Sequence, residues 1–192
     1  MSMLNKLKKN KSIIHITENK YLLEADCEKN EVFKILKELK NNTDFLFHQL
    51  LDITAVDNPS RELRFDIIYI LQSLKNNKKL FLKTSLKEDD SINSITSVYK
   101  SADWYERECY DLFGIEFLNH PDLRRIMTDY NFEGHPLRKD FPLTGHTEVR
   151  YDDLEKKVIY EPVKLEQNYR NFDFESPWEG TNYIKEIKNS EK

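Results

Sequence analysis

Residues 63–73 read LRFDIIYILQS, an apolar-rich stretch in the first half of the chain. Within it, Leu63, Phe65, Ile67, Tyr69 and Leu71 alternate with the residues between them, as in a strand that buries one face. The unbroken apolar run inside the stretch is far shorter than the ~20 residues of a membrane-spanning helix. The stretch therefore predicts a half-buried strand.

Two further strand candidates flank this stretch, FLFHQLLDI at 45–53 and KLFLKTSL at 79–86. Turn-forming residues separate the three runs at 57–60 and 76–77, so hairpin connections and antiparallel pairing are expected. Shorter β-prone runs lie nearer the N-terminus, at 13–16 and 21–23. Together they predict a small, mostly antiparallel sheet.

Two helices complete the predicted domain. Asn30 is a residue type that caps helices. Apolar residues follow it at the helical spacing i, i+3, i+4 and i+7: Val32, Ile35, Leu36 and Leu39. A second helix is expected over 102–113, with Ser101 or Asp103 as its cap and Gly114 at its end. The predicted fold class is α+β, with helices packed on the sheet.

Beyond about residue 119 the periodicity disappears, because five prolines interrupt every run. Large aromatic residues are nevertheless spread through this acidic segment: Phe141, Tyr151, Tyr160, Tyr169, Phe172, Phe174 and Trp178. Each such ring gains ~1.5–3 kcal/mol on burial, which a free tail would forgo. The pattern predicts a long extended C-terminal strap that lacks its own core and is ordered on a partner. The equally weighted alternative is that it folds back over its own domain.

Composition excludes several classes of function. The chain has 192 residues and a net charge of −4, and residues 103–192 alone carry 13 basic and 20 acidic residues. Such an acidic half disfavours a nucleic-acid surface. The four glycines fit no nucleotide-binding motif, and the two cysteines form no CxxC pair. The N-terminal MSMLNKLKKNK precedes no signal-peptide core and is expected to be a frayed basic tail.

One candidate constellation lies on the second predicted helix. Glu108 and Asp111, three residues apart, could be metal ligands or an acid–base pair. The favoured alternative is an ion-pair network with Arg107, Arg124 and Arg125. Loss of one partner from a buried network of this kind is expected to destabilise the assembly.

The histidines offer a second constellation. His120, His135 and His146 could form a zinc site with Cys109, but their spacings match no common ligand pair, and satisfied loop histidines are favoured. His48 alternates with apolar neighbours, which predicts a hydrogen-bonded core histidine.

A third constellation consists of two short basic runs embedded in acids. The first contains Arg124 and Arg125, and the second contains Arg138 beside Asp140. Their alternating sign suits internal salt bridges or interface contacts better than a phosphate site. The residues alone therefore indicate an interaction protein without a cofactor.

Seven stretches carry a resemblance to a known family: LDITAVD (51–57), WYERE (104–108), DLFGI (111–115), HPDLRRI (120–126), GHPLRKDFP (134–142), EVRYD (148–152) and FDFESPWEG (172–180). Over about residues 45–180 the chain resembles the 30-kDa subunit family of respiratory complex I, the NADH-quinone (ubiquinone) oxidoreductase. It departs from the family pattern at Cys109-Tyr110 and at His146.

The resemblance implies a peripheral-arm subunit of NADH:ubiquinone oxidoreductase that scaffolds the quinone-reducing module of this proton-translocating complex. It implies no cofactor and no catalytic site in this chain, with flavin and iron–sulfur clusters in partner subunits. The implied partners are chiefly the 49-kDa-type subunit and the terminal-cluster subunit. The alternatives are a small metal-dependent hydrolase, or the equivalent subunit of a related membrane-bound hydrogenase.

The expected location is the matrix side of the mitochondrial inner membrane, because Lys, Asn and Ile are residues of A/T-rich codons, or alternatively the cytoplasmic face of a bacterial inner membrane. No transmembrane segment is expected. The predicted division is an α+β domain at 1–115, a loop-rich signature segment at 116–142 and a partner-binding tail at 143–192. The structural or interface candidates are Arg107, Glu108, Asp111, His120, Arg124, Arg125, His135, Arg138, Asp140, Tyr151, Tyr160, Phe172, Phe174 and Trp178.

Overall fold

The computed structural model of the chain describes residues 3–19 and 22–165. Its helices are α1 (Met3–Leu7), α2 (Val32–Asn41) and α3 (Ala102–Phe113). Its strands are β1 (Ile13–Glu18), β2 (Leu22–Cys27), β3 (Gln49–Asp57), β4 (Phe65–Ser73), β5 (Lys78–Leu86), β6 (Ser91–Asn93), β7 (Glu116–Leu118), β8 (Thr147–Asp152) and β9 (Lys157–Pro162). The chain divides into two compact units, with the boundary after Gly145. The predicted boundaries at residues 115 and 142 stay predictions.

A five-stranded sheet in the order β1-β2-β5-β4-β3 forms the body of the first unit. Only the β2–β5 pair is parallel, so the prediction of a mostly antiparallel sheet is confirmed. Strand β4, which lies between β5 and β3, buries Phe65, Ile67, Tyr69 and Leu71 on one face in the predicted alternation, whereas Leu63 precedes the strand and is 43% exposed. The α+β fold class is likewise confirmed.

Helix α2 covers this buried face with the predicted stripe. Val32, Ile35, Leu36 and Leu39 are each at most 2% exposed. The predicted cap is wrong, because the residue before the helix is Glu31 and it makes no side-chain capping bond. The stripe, and not the cap, positions this helix.

The strand predicted at 45–53 begins later, at Gln49. Leu46 adopts a positive φ of 51°, and the Phe47 N–H bonds back to the carbonyl of Leu39, the last buried residue of α2. Phe45 and Phe47 are buried in this connection, which explains their strand-like spacing. His48 is exposed, so its prediction as a core histidine is wrong.

The N-terminus also differs from its prediction as a frayed tail. Residues 3–7 form α1, where Leu7 is 1% exposed and packs in the core. Lys6 pairs with Asp44 at 2.6 Å. The lysines therefore lie on the outer side of a docked segment.

Two short strands that the periodicity did not predict frame helix α3. Strands β6 and β7 pair in parallel, before and after the helix. In the second unit, β8 and β9 form an antiparallel hairpin in a region that was expected to lack regular structure. Phe172, Phe174 and Trp178 lie outside the described residues. Among the residues described, no helix is both long and apolar enough to cross a membrane.

Candidate functional site

The C-terminal end of helix α3 organises the signature segment around it. An α-helix leaves its last four carbonyls without partners inside the helix. Here the Gly114 N–H bonds the Tyr110 carbonyl at 2.8 Å, the usual closure by a left-handed glycine. The Leu112 carbonyl accepts from the Leu137 N–H at 3.0 Å. The helix end is therefore closed partly by residues more than twenty positions away.

Two side chains satisfy the remaining carbonyls. His135 Nδ1 lies 2.9 Å from the Asp111 carbonyl, and Arg138 Nε donates to the Phe113 carbonyl at 2.6 Å. Burial lowers the pKa of His135. The ring is therefore neutral at pH 7 and donates from Nδ1. A cation at a helix C-terminus, as Arg138 provides, is also favourable to the helix dipole.

Gly114 is required at this point for two reasons. Its φ is +75°, a left-handed conformation that side chains disfavour. A Cβ atom there would lie 2.6 Å from the His135 ring and 2.7 Å from the Arg138 guanidinium. Glycine lets both side chains approach the helix end.

The Asp111 side chain is the second organising point. Its Oδ2 accepts three backbone N–H groups, from Ile126 at 2.9 Å, Met127 at 2.7 Å and Thr128 at 2.8 Å. Its Oδ1 accepts from Arg125 Nη1 at 2.7 Å and from the Thr128 hydroxyl at 2.5 Å. Burial alone would raise the pKa of Asp111, but these hydrogen bonds outweigh it and hold the pKa well below its usual range.

The predicted charge network forms only in part. Asp111 pairs with Arg125, and Arg107 donates to the carbonyls of Arg124 and Arg125 at 3.1 Å each. The Arg124 side chain instead pairs with the exposed Asp122 at 2.7 Å. The network therefore joins α3 to the 120–128 loop mainly through backbone groups.

Glu108 lies outside this network, contrary to the prediction. It is half-buried, and both burial and the nearby Asp52 on β3 raise its pKa. Although the two residues are three positions apart on α3, the Asp111 carboxylate is held by the 125–128 loop and Glu108 lies near Asp52, so the two carboxylates have different surroundings. The Asp111 carboxylate is already bound by five donors.

A second cluster ties residues 138–140 to the sheet. Arg64 donates to both Asp57 carboxylate oxygens, at 2.8 and 3.0 Å, and pairs with Asp140 at 3.0 Å. The Lys139 N–H donates to Asp57 Oδ2 at 2.7 Å. The hydrogen bonds from Arg64 are the largest cause of the lowered pKa of Asp57. Arg138 completes the cluster, because its pair with Glu88 at 3.0 Å links it to the carboxylate that Arg64 also binds.

Sequence reasoning identified Arg138 and Asp140 but missed Asp57, Arg64 and Glu88. The available signal was a charged residue, Arg64, placed between the apolar Leu63 and Phe65. Arg64 and Arg138 each lie 5.2 Å from the centroid of the Phe65 ring. The ring of a core residue thus supports both cations.

The His120 side chain is completely buried near the other end of α3. Its Nδ1 accepts from the Asp122 N–H at 3.1 Å, so the ring proton is on Nε2. Nε2 lies 3.1 Å from the Asp103 carbonyl oxygen and 3.8 Å from Glu106 Oε2. His120 therefore holds the 119–122 loop to the start of the helix, as a satisfied loop histidine.

Glu106 is a buried acid that sequence reasoning missed. Its side chain is fully buried, and Oε1 accepts from the Ile95 N–H at 2.7 Å. Burial raises the pKa of Glu106 to about 7. The group fastens the 94–99 turn to α3.

The sequence matches the family model described as respiratory-chain NADH dehydrogenase, 30 Kd subunit, over residues 25–147. The matched region contains the helix α3 end, the Asp111 loop and the Arg64 cluster. The chain belongs to the 30-kDa subunit family of respiratory-chain NADH dehydrogenase.

Bacterial relatives of this 30-kDa-type subunit agree with the family model. The C subunit of the NADH-quinone oxidoreductase of Cereibacter sphaeroides is 53% identical over 162 residues, which are 84% of this chain and 81% of the relative. The corresponding protein of Xanthobacter autotrophicus is 54% identical over 80% of this chain and 74% of the relative. The protein is therefore a subunit of the NADH-quinone oxidoreductase of a respiratory chain.

The fold of the 30-kDa-type subunit recurs in a solved assembly. A chain of the membrane-bound sulfane sulfur reductase, an archaeal respiratory membrane complex, superimposes with a TM-score of 0.63 at 25% identity. The match covers 72% of this chain and 82% of that chain. The same architecture thus occurs in a related membrane-bound respiratory complex.

The metal site required by the hydrolase interpretation does not form from its four proposed ligands. Both oxygens of Asp111 are bound, His135 Nδ1 faces a carbonyl, and His120 lies at the opposite end of the helix from them. Within residues 3–19 and 22–165, no group of three or more His, Cys, Asp or Glu side chains could hold a metal ion. His146, the last histidine of the disfavoured zinc alternative, is exposed.

Proposed function

We propose that this chain is a scaffold subunit of the quinone-reducing module of respiratory complex I, with no cofactor or catalytic site of its own. The redox centres would lie in neighbouring subunits, chiefly the 49-kDa-type subunit and the terminal-cluster subunit. The proton-translocating NADH:ubiquinone reductase activity would then belong to the assembly.

The observation that carries this proposal is the exposed apolar face of the β8–β9 hairpin. Val149 lies opposite Tyr160, and Tyr151 lies opposite Val158, so all four side chains share one face of the hairpin. Each of them is between 55% and 63% exposed. An apolar face of this kind gains free energy only when another surface covers it.

The opposite face of the hairpin carries charged side chains that pair with one another. Arg150 on this face donates to Glu161 at 2.7 Å and lies 3.8 Å from Asp152. A two-stranded hairpin is marginally stable alone in water, so contact with a partner would add to its stability. The alternation supports a strap that presents one apolar face to a neighbouring subunit.

The signature segment supports the absence of a catalytic site. Asp111, Arg125, His135 and Arg138 use their polar atoms to hold the chain's own backbone. A catalytic acid or base needs a polar atom directed at a substrate, whereas these atoms are directed at carbonyls and N–H groups. Their role in this proposal is to keep the scaffold rigid.

The test replaces one cross-strand pair of the apolar face. The double variant Tyr151→Thr/Val158→Thr retains the β propensity of the strands but removes one of the two apolar cross-strand pairs of this face. We expect a lower abundance of assembled complex on native gels, with unchanged NADH:quinone turnover per assembled complex. The measurement is made in cells that express the variant as their only copy.

The matched control changes the polar face of the same hairpin. The variant Glu148→Thr/Lys157→Thr carries the same number of substitutions and should leave assembly unchanged. Normal assembly of the apolar-face variant, or a loss of turnover per assembled complex, would contradict the proposal. A stoichiometric flavin, iron or zinc content in the purified chain would contradict its cofactor-free part.

We further propose that the complex lies at the mitochondrial inner membrane, with this subunit on the matrix side. The codon argument from Lys, Asn and Ile supports this location, whereas the bacterial relatives favour the cytoplasmic face of a bacterial inner membrane. Fractionation of the source cell, followed by immunodetection of this chain, separates the two. Recovery with bacterial plasma membranes would overturn the mitochondrial location.

A further inference from the structure

A cleft of about 500 Å³ opens in the first unit between α2, β3 and α3. It is lined by Lys40 near the end of α2, by residues 48–51 around the start of β3, by residues 99–101 before α3, and by Tyr105 on α3. Of the described residues that line the cleft, none is an aspartate or a glutamate. We call it the lysine cleft, because two of its side chains are lysines.

Lys40 supplies a fixed positive charge to the lysine cleft. Its ammonium group donates to the Val98 carbonyl and lies 5.0 Å from the centroid of the Tyr99 ring. The ring is held in turn, because the Tyr99 hydroxyl donates to the Phe47 carbonyl at 2.6 Å. Both contacts of Lys40 are with neutral groups, so its charge is not compensated by them. An ammonium group has three N–H donors, and Lys40 therefore keeps donors for a further acceptor.

The other polar side chains of the lysine cleft are donors as well. Lys100 is exposed, and in the described part of the chain neither it nor Lys40 forms an ion pair. His48, Ser101 and Tyr105 each add an N–H or O–H group. The Ser101 hydroxyl makes no capping bond to α3. The cleft therefore presents positive charge and hydrogen-bond donors to a group that enters it, which is the chemistry that binds an anion.

Two acids limit the extent of this positive region. Asp52 directly follows the cleft residue Leu51 on β3, and Glu108 stands one turn beyond Tyr105 on α3. The charge of Asp52 contributes to the raised pKa of Glu108, so the two carboxylates are near each other. A long polyanion, such as a nucleic acid or an anionic membrane surface, would meet their repulsion. A single carboxylate is short enough to bind between the lysines.

We propose that the lysine cleft receives one aspartate or glutamate side chain from a neighbouring protein subunit. The ammonium groups of Lys40 and Lys100 bind the carboxylate, and the hydroxyls of Ser101 and Tyr105 are within the same cleft as further donors. Hydrogen bonds between charged groups are stronger than those between neutral groups. The inference requires only that the chain is part of a multisubunit complex. Its residues differ from those of the hairpin face, so the two proposals fail independently.

Carbodiimide cross-linking of the purified, assembled complex tests this contact, because the reagent joins an ammonium group to a carboxylate only where the two touch. We expect Lys40 or Lys100 to be joined to an aspartate or glutamate of another subunit, identified by mass spectrometry of the peptides. The internal positive control is the ion pair of Lys6 with Asp44 at 2.6 Å. Cross-linking of this control pair without a cross-link from Lys40 or Lys100 would overturn the proposal, and so would cross-links from these two lysines to acids of this chain alone.

The variant Lys40→Met/Lys100→Gln removes both charges and keeps a side chain of similar length over the Tyr99 ring. We expect this chain to dissociate from the purified complex at least about tenfold faster than the wild type in dilute chaotrope, because loss of a charge-assisted contact acts mainly on the dissociation rate. Thermal unfolding of the isolated full chain verifies that the variant folds. Lys100→Gln alone, at an exposed position, provides the same test if the double variant does not fold.

Two further variants separate the charge of the lysine cleft from packing and from net charge. Lys40→Arg/Lys100→Arg keeps both charges and should retain the wild-type rate of dissociation. The matched control Lys75→Met/Lys79→Gln removes two exposed lysines from the β4–β5 hairpin and should also leave the rate unchanged. Equal rates for the cleft variant and the matched control would overturn the proposal. Dissociation of the arginine variant as fast as that of the uncharged variant would overturn it too, because charge would then not be the cause.

Discussion

Replacement of Asp111 provides the most direct test of how the signature segment is held. The carboxylate is fully buried and accepts three backbone N–H groups, the Thr128 hydroxyl and the Arg125 guanidinium. Asp111→Ala leaves these donors without their acceptor and breaks a largely buried ion pair. Breaking such a pair costs about 3–5 kcal/mol, and we expect the free energy of unfolding to fall by this amount.

Asp111→Asn separates charge from shape. The amide has nearly the same size as the carboxylate, but its NH₂ group must face either the three backbone N–H groups or the donors on the other side. Donor then opposes donor, so we expect a loss of about 2–4 kcal/mol despite the conserved shape. Urea unfolding of the full chain at pH 7, followed by tryptophan fluorescence and by circular dichroism, measures both losses.

The pH dependence of stability provides a second and independent measurement of the effect of the Asp111 carboxylate. Because the pKa of Asp111 is lower in the folded chain than its ordinary value of 3.8, its stabilising effect is complete above that value and is lost as the pH falls below it. The difference between the wild type and Asp111→Asn should therefore shrink as the pH drops below about 4. Asp122→Asn, which changes an exposed carboxylate of the same loop, is the control and should not alter stability measurably.

Two results would refute the account of Asp111. The first is a loss below about 1 kcal/mol for Asp111→Ala, which is the size expected for an exposed ion pair. The second is a loss for Asp111→Asn that is the same at pH 7 and at pH 3.

Four further predictions follow from the same contacts. Gly114→Ala should lower the stability by about 2–4 kcal/mol, because the left-handed backbone and the close His135 ring both oppose a Cβ atom. Thermal unfolding measures this loss, and an unchanged melting temperature would contradict the close packing of the His135 ring. The stability of the wild type should decline between about pH 4.5 and 7, because the pKa of Glu106 is raised to about 7 in the folded chain and the unfolded chain releases this proton at lower pH. Glu106→Gln should reduce the slope of stability against pH by up to about 1.4 kcal/mol per pH unit. Equal slopes in titrations of the two proteins would contradict the burial of this acid. Arg64→Met should lower stability by about 3–5 kcal/mol in urea unfolding, because the buried Asp57 loses its cation, and a loss no larger than that of Arg124→Met would be the contrary result. A chain that ends at Gly145 should retain one cooperative calorimetric transition, whereas loss of that transition would place the later residues in its core.

Local periodicity was sufficient for the elements that bury one regular face. The alternation of β4 and the four-residue stripe of α2 were both confirmed, because burial on one side of a regular element repeats in the sequence with the period of that element. The same reasoning failed at 45–53, where Phe45 and Phe47 are buried by an irregular connection. Alternating burial alone does not distinguish such a connection from a strand.

The family was also predictable from the sequence, since its motifs are contiguous runs of residues around α3. The role of the individual residues was predicted less completely. Arg125, His135, Arg138 and Asp140 were identified as interface or structural candidates, and in the structure their polar atoms hold the chain's own backbone and side chains. Tyr151 and Tyr160 lie on an exposed hairpin face, and their contact with a partner stays a prediction.

The residue pattern was enough to predict the α+β class, one main strand and one helix of the core, and the family to which the chain belongs. Which side chains and backbone groups meet depends on the tertiary fold. Asp57 bonds the backbone of Lys139, 82 residues away, and Asp111 bonds residues 126–128 after the chain has turned back on the helix. A carboxylate that stabilises a distant loop has no periodic signature, because its partners are selected by the return path of the chain and not by its neighbours in sequence.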